Sequence, residues 1–470
     1  MILKSNNAQI FLLNIAFFLI PISFVLGNSL INFNIVIILL YSLLLFKLEI
    51  FKINLTKIDV LILIFFTYVI INGILNNFLN FKFPDSPDPN IVVKKSFLYL
   101  RFLLLYFVIR FLILKNLINF KYLFISFGFC SLLVGGDIII QFFLGVDVFG
   151  YESTGRRLSG PFGEEKIAGS FIQRFFIFLP YSLILFFKFN NKFYLNSVLF
   201  LIFITITFGT LLSGNRIPLV LLMISFLILL VFEKNFRKNL LAIFFIFIAG
   251  FIYLTIDQKS EHNSHYQSFV KNSSLIVKYL KNRITSGEFV GVNEKCKNID
   301  HVQQKDLIKE NEDLLKECSK YLNVYIKEIE SGILTWEENK NFGGGIKSFR
   351  WNCNNIDRSK MLYFVTKMGK VNCNNHPHNY YLQIAAELGF WGLSITALII
   401  ISILTKGMVY FKNSNSNEYN FKILMPFFIV FILEIFPLKT TGSFFTTTNA
   451  TFLFIILSFV VGLINKNKIT

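Results

Sequence analysis

A succession of apolar runs, each near or above the ~20 residues a helix needs to cross a bilayer, constrains this chain more than any other feature. The runs fall at about 9–27, 30–47, 58–77, 96–114, 120–145, 167–187, 194–212, 217–232, 238–257, 388–410, 421–437 and 450–465. They predict an all-α polytopic membrane protein with roughly twelve transmembrane helices. The run at 217–232 is short and opens on Pro218, a residue tolerated in a first helical turn. A chain that is 54% hydrophobic and 16% charged over 470 residues has more apolar material than a water-soluble core of that length needs. The first run continues past the length of a leader's apolar region and lacks a small-residue cleavage site, so it is expected to stay as a helix. The 59 Phe against 3 Trp, alongside abundant Ile, Asn and Lys, read as coding bias.

A formal net charge of +18 raises nucleic acid as a partner, but the basic residues do not form one stripe with interleaved aromatics. They sit in alternate gaps between apolar runs: Lys47, Lys52 and Lys57; Lys115 and Lys121; Lys188 and Lys192; Lys234, Arg237 and Lys238; Lys406, Lys412 and Lys422; Lys466 and Lys468. Short cytoplasmic loops retain Lys and Arg. The pattern therefore predicts a multi-pass membrane protein with both termini cytoplasmic. The other gaps are then non-cytoplasmic: FPDSPDPN (83–90), GYESTGRRLSGPFGEEK (150–166), SGNR (213–216), a polar insert at about 258–377 and PLKTTGSFFTTTN (437–449).

Three parts follow: helices one to nine with short loops (1–257), one large periplasmic loop (258–377), and a His-Asn helix with the last three spans (378–470). Within the loop, Leu307, Leu314, Leu315, Tyr321, Leu322 and Ile326 recur at helical spacing, so the loop is expected to be mainly helical. Four of the five cysteines, Cys296, Cys318, Cys353 and Cys373, lie in it. An oxidising compartment favours pairing. The pairs closest in sequence are Cys353 with Cys373 and Cys296 with Cys318; four free thiols are the competing reading.

Ionisable groups at a membrane border are costly and call for a role beyond snorkelling or capping. This topology puts Arg156, Arg157, Arg216, His376, His378 and Lys439 on one, non-cytoplasmic, face. Arg216 sits in GTLLSGNRIPLV (209–220), a break between spans with almost no loop, where its planar fork suits a phosphate or carboxylate. The Arg156–Arg157 pair lies in a turn whose Gly155, Gly160 and Gly163 allow close backbone approach to an anion. Arg101 lies about a turn inside its span on the same side and must snorkel, pair or bind. His378, in NNHPHNYYLQIAAELGFWGL (374–393), can serve as a general base near neutral pH, against the plainer reading of a solvated loop histidine; His376 shares that potential, and His262, His265 and His301 read as solvated. No HExxH, phosphate-loop or G-x-S-x-G pattern occurs, and no Cys/His group has structural-zinc spacing. Neither a metal nor another cofactor is indicated.

The string HPHNYYLQIAAELGFWGL resembles the His-Asn-x-x-Leu motif, followed by Glu-Leu-Gly and an apolar span, of the O-antigen ligase and O-antigen polymerase superfamily. NFGGGIKSFRW (341–351) is similar to the family's Gly-x-Gly-x-x-x-Phe turn, LLSGNRIPLV to its small-residue-plus-Arg turn, and GRRLSGPFGEEKIAG to its Arg-x-x-Gly-x-Phe loop. PLKTTGSFFTTTNATFLF (437–454) resembles its last periplasmic turn. The likeness covers about residues 90–465. Asn215 stands where the family usually has Ser, and the Cys-containing insert has no counterpart in the pattern.

The resemblance implies a metal-independent, inverting glycosyltransferase of a bacterial inner membrane. Its donor would be a polyprenyl-pyrophosphate-linked glycan at the periplasmic face, and its acceptor a glycolipid or lipid-linked glycan. His378 would take the acceptor's proton, with Asn379 beside it. Arg216, Arg157, Arg156 and Arg101 would stabilise the leaving pyrophosphate, with Lys439 as a secondary candidate. A ligase acting on lipid A core is the first expectation, and a polymerase joining lipid-linked repeat units the second. A polysaccharide flippase is the reading from another class. Transporters, however, gather ionisable residues near the bilayer midplane and show inverted repeats, whereas these residues gather at one surface. A non-catalytic assembly partner would tolerate replacement of His378.

Overall fold

The computed structural model describes residues 7–78, 90–153, 157–256, 324–355, 373–415, 418–439 and 442–466. Their secondary structure is helical throughout, with no strand among them and one isolated bridge between Val146 and Glu152. The first eleven helices are α1 (Asn7–Phe18), α2 (Ile20–Leu26), α3 (Asn28–Phe46), α4 (Lys57–Phe78), α5 (Ile91–Leu114), α6 (Phe120–Leu144), α7 (Ala168–Phe175), α8 (Phe178–Phe186), α9 (Lys192–Leu212), α10 (Arg216–Phe232) and α11 (Arg237–Ile256). Within the insert lies α12 (Val324–Glu338), and after it come α13 (Tyr380–Asn413), α14 (Tyr419–Glu434) and α15 (Thr447–Lys466). Backbone groups have no partner in lipid, so an apolar run this long closes its own hydrogen bonds as a helix.

Nine helical segments among the described residues are long and apolar enough to cross a membrane, and ten if the bent pair α1–α2 is one span. The apolar runs anticipated about twelve. The difference lies in irregular elements. The first run is two helices bent by 42°, with Pro21 in the first turn of the second; proline is a recognised cause of such kinks. The run at 217–232 is the 17-residue α10, and that at 421–437 is the 16-residue α14 with Pro426 inside it. Of the large loop only α12 and the stretches 339–355 and 373–377 lie within the described residues. Cys296, Cys318, His262, His265 and His301 lie outside them, as do Leu307, Leu314, Leu315, Tyr321 and Leu322.

Local signals set the helix ends. Asn119 accepts from the backbone N–H groups of Lys121 and Tyr122, and Asn191 from that of Phe193 (2.8 Å), so asparagine opens α6 and α9 by satisfying orphan donors. Small residues let helices close on one another. A Cβ on Gly209 of α9 would stand 2.7 Å from Gly135 Cα of α6, so this contact is backbone against backbone. Phenylalanine fills the centre: Phe427 of α14 stacks on Phe459 of α15 with centroids 4.4 Å apart, and Phe178 meets Phe427 edge-on at 5.0 Å.

One end of the bundle is fastened by a buried ion pair. Asp59, in the first turn of α4, accepts from Thr56 N (2.6 Å) and Tyr106 Oη (2.5 Å) and pairs with Arg110 of α5. The lysines that precede α4 and follow α5 lie at this same end.

Candidate functional site

The opposite end is organised by a break. Helix α13 runs for 34 residues, about 50 Å at a helical rise of 1.5 Å and more than a bilayer core requires. At Gly389 its backbone leaves helical geometry (φ 66°). The carbonyls freed there are taken by the glycine turn at 343–345: Gly344 N–H donates to Ala386 O (3.2 Å) and Gly345 N–H to Glu387 O (2.7 Å). A Cβ on Gly389 would lie 2.3 Å from Asn341 O, and one on Gly343 2.5 Å from the Glu387 carbonyl carbon. These two glycine motifs, 46 residues apart in numbering, are thus the two halves of one close backbone contact. Glu387 also accepts from Lys347 N–H (2.6 Å) and Gln383 Nε2 (3.0 Å), and Gln383 reaches Ser443 Oγ (2.8 Å) and Phe444 N–H (2.8 Å). The turn before the last helix is therefore held against α13.

His378 stands at the start of this assembly. Asn379 caps α13, accepting from Tyr381 N–H (2.9 Å) and Leu382 N–H (3.1 Å), while its Nδ2 donates to Pro437 O (2.7 Å). His378 adopts φ 50°, a left-handed backbone uncommon outside glycine. Its Nε2 lies 3.5 Å from Glu328 Oε1 of α12, and its ring centroid 4.3 Å from that of His376. Burial holds the imidazole below its usual pKa and so keeps it neutral and able to accept a proton. Burial pushes the Glu328 carboxyl up to about 7, against the opposing pull of Asn374.

Beside the histidine turn lies a buried cluster built on Glu434, the last residue of α14. Arg174 of α7 grips it with two bonds (Nη2 to Oε1 2.7 Å, Nε to Oε2 3.1 Å); Lys439 Nζ donates at 2.5 Å and Tyr380 Oη at 2.9 Å. Arg174 also donates to Asn449 Oδ1 (2.8 Å). Two cations on one carboxylate leave the cluster one positive charge in excess. Burial draws Lys439 down to about 8, with the Glu434 carboxylate opposing. Arg101 Nη2 donates to Thr447 Oγ1 (3.0 Å). Lys347, drawn down to about 8 by burial, approaches Ser443 Oγ at 3.4 Å.

Arg216 is the first residue of α10, and the turn before it is tied to α7. Asn215 Oδ1 accepts from Gly169 N–H (3.1 Å) and its Nδ2 donates to Lys166 O (3.1 Å). Gly169 and Arg174 share α7, so this one short helix connects the Arg216 turn with the Glu434 cluster. Arg157 opens the half-buried stretch leading to α7; among the described residues its Nε and that of Arg101 are buried without a hydrogen-bond partner. Arg156 lies outside the described residues. Cys353 and Cys373 form a disulfide whose sulfurs pack with Leu334, Phe349 and Ala386, just before the histidine turn. Among the described residues, no group of three or more His, Cys, Asp or Glu is arranged to hold a metal ion. An apolar crevice lined by Ile62, Phe65, Tyr380, Tyr381, Phe431 and Leu453 runs from the histidine turn into the bundle.

Arg174, Glu434 and Glu328 join the site without belonging to any of the sequence motifs quoted above. The first two were legible as ionisable residues inside apolar runs, the same signal that singled out Arg101. Glu328 carried no such mark on a polar helix.

Fold and site together define a multi-pass membrane protein with a histidine and a cation cluster at one end of its helical bundle. Residues 200–397 match a family model described as O-antigen ligase. That match supports the chain's place in the O-antigen ligase and O-antigen polymerase superfamily, to which its motifs point, and it spans α9 to α13, including Arg216, Glu328 and His378. No curated protein matches the chain. The family implies a glycosyltransferase-like ligase or polymerase working on lipid-linked glycan in a membrane.

Proposed function

We propose that this protein transfers a polyprenyl-pyrophosphate-linked glycan to an acceptor hydroxyl at the periplasmic face, as an O-antigen ligase acting on lipid A core. It does so through about twelve spans with both termini cytoplasmic, and without a metal. The observation that carries this reading is the joining of a neutral, half-exposed imidazole to a cation-rich wall: Asn379 and Tyr380 bond to Pro437 and Glu434, beside Lys439 and Arg174.

The chemistry needs those parts. The acceptor hydroxyl gives its proton to His378 as its oxygen attacks the anomeric carbon. The bond from that carbon to the pyrophosphate breaks, its electron pair leaves with the phosphate, and configuration inverts. Arg216 and Arg157 meet that charge, joined by Arg156 and Arg101, and the excess charge of the Arg174–Lys439–Glu434 cluster adds to the field. The apolar crevice beside Tyr380 suits the polyprenyl chain.

The test is transfer by the purified protein from a defined lipid-linked glycan, offering lipid A core or a second lipid-linked unit as acceptor. Product on lipid A core, lost in His378→Ala and Arg216→Ala, is expected. Product only on the second lipid-linked unit assigns a polymerase instead, and transfer undiminished in both variants removes the roles given to these residues.

A further inference from the structure

We infer that Glu328, on the helix of the large loop, is the positioning residue of the catalytic histidine: its carboxylate takes the Nε2–H of His378 and leaves Nδ1 as the proton acceptor. The inference rests on the proposed function above and adds to it the tautomer and the partner of the base.

Three observations converge on the pair. Glu328 Oε1 stands 3.5 Å from His378 Nε2, a separation that closes to a hydrogen bond with a small rotation of either side chain. The Glu328 side chain is 10% exposed, and its Oε1 also accepts from Asn374 Nδ2 at 3.3 Å, so it is aimed at the histidine turn and away from water. Gly332, one helical turn after Glu328 on the same face, rests against that turn: a Cβ there would meet Pro377 Cβ at 3.1 Å and Leu382 Cβ at 3.3 Å. Glycine at this place lets α12 approach closely enough for Glu328 to reach the ring.

The histidine's own backbone fits this role. A non-glycine residue held at φ 50° persists where its surroundings over-determine it, and here Pro377 precedes it and the Asn379 cap follows. The ring of His378 is thereby presented to α12. A carboxylate on one ring nitrogen fixes the tautomer and stabilises the imidazolium formed when the other nitrogen takes the acceptor's proton. The proton moves from hydroxyl oxygen to Nδ1, the new bond forms to the anomeric carbon, the electron pair departs with the pyrophosphate, and water later removes the proton from the ring.

The experiment measures turnover and acceptor KM of the purified full chain in lipid for Glu328→Gln, Glu328→Asp, Glu328→Ala and His378→Ala. The expected result is a fall in kcat of tenfold or more in Glu328→Gln with acceptor KM changed less than threefold, and recovery of most of that loss in Glu328→Asp. In Glu328→Ala, added formate restores turnover; in His378→Ala it does not. Wild-type kcat in Glu328→Gln with His378→Ala inactive overturns the pairing and leaves the base in place. Equal losses in Gln and Asp variants with no rescue by formate make Glu328 structural only. Wild-type kcat in His378→Ala removes the base and this inference with it.

Discussion

Glu434→Ala is the substitution whose cost the structure makes most definite. The carboxylate accepts four hydrogen bonds, two from Arg174 and one each from Lys439 and Tyr380, and its side chain is 1% exposed. Deleting it leaves two cations buried side by side with no counter-charge. Breaking a buried pair from one side costs about 3–5 kcal/mol, because the remaining charge keeps its desolvation penalty; that is a factor of about a hundred or more in the folded-to-unfolded ratio. Lys439→Ala, which leaves the two-bond Arg174–Glu434 pair intact, is expected to cost clearly less. Both are read by chemical unfolding in mixed micelles, followed through the loss of helix circular dichroism. If Glu434→Ala unfolds at the wild-type midpoint, or if Lys439→Ala is the more damaging of the two, the claim that this carboxylate neutralises the cluster is wrong.

Other consequences are equally direct. Glu328, held up near 7, loses its charge as pH falls through that value, and His378, held below 6.5, gains one at lower pH; turnover should therefore decline on acidification in two coupled steps, with His376 the other titratable ring on the turn. A single step near 4.5 would contradict this assignment. Serine at Cys353 removes a link across a sequence separation of 20 residues, worth about 3 kcal/mol of chain constraint, and should lower both melting temperature and transfer; full thiol labelling of wild type without reductant would remove the link from consideration. Gly389→Ala places a side chain at φ 66° and 2.3 Å from Asn341 O, so a loss well above 1 kcal/mol is expected, and wild-type melting would refute the close contact. Reporter fusions after residues 190 and 412 should read cytoplasmic and those after 270 and 440 periplasmic; the reverse pattern inverts the membrane orientation.

Helix identity was legible because lipid leaves an apolar run one way to satisfy its backbone. Helix continuity was not. Between the first and second helices the apolar run is unbroken although the chain bends by 42°, and only Pro21 marks the place. Helix α13 shows the reverse: Gly389 sits in an ordinary Glu-Leu-Gly-Phe string, and its break exists because the backbone at 341–345 supplies the donors that the helix loses. That partner is more than forty residues upstream across a long insert, a pairing that local periodicity does not encode.

The site divides along the same line. Residues in turns, such as Arg216 and His378, stood out because a charge between two apolar runs is visible at once. Arg174 and Glu434 did not, because each is a single ionisable residue averaged into an otherwise apolar window. Their geometry explains why such residues are tolerated: each is the reason the other can be buried, across 260 residues of sequence. An ionisable residue inside a span is therefore best read as half of a pair. Arg174 meets Glu434 from another span at the same end of the bundle, just as Asp59 answers Arg110 at the far end. The two pairs differ in one respect that bears on function. At the Asp59 end one cation meets one carboxylate, a balanced staple; at the Glu434 end a second cation, Lys439, joins and tips the cluster positive, the charge that the proposed diphosphate donor would require.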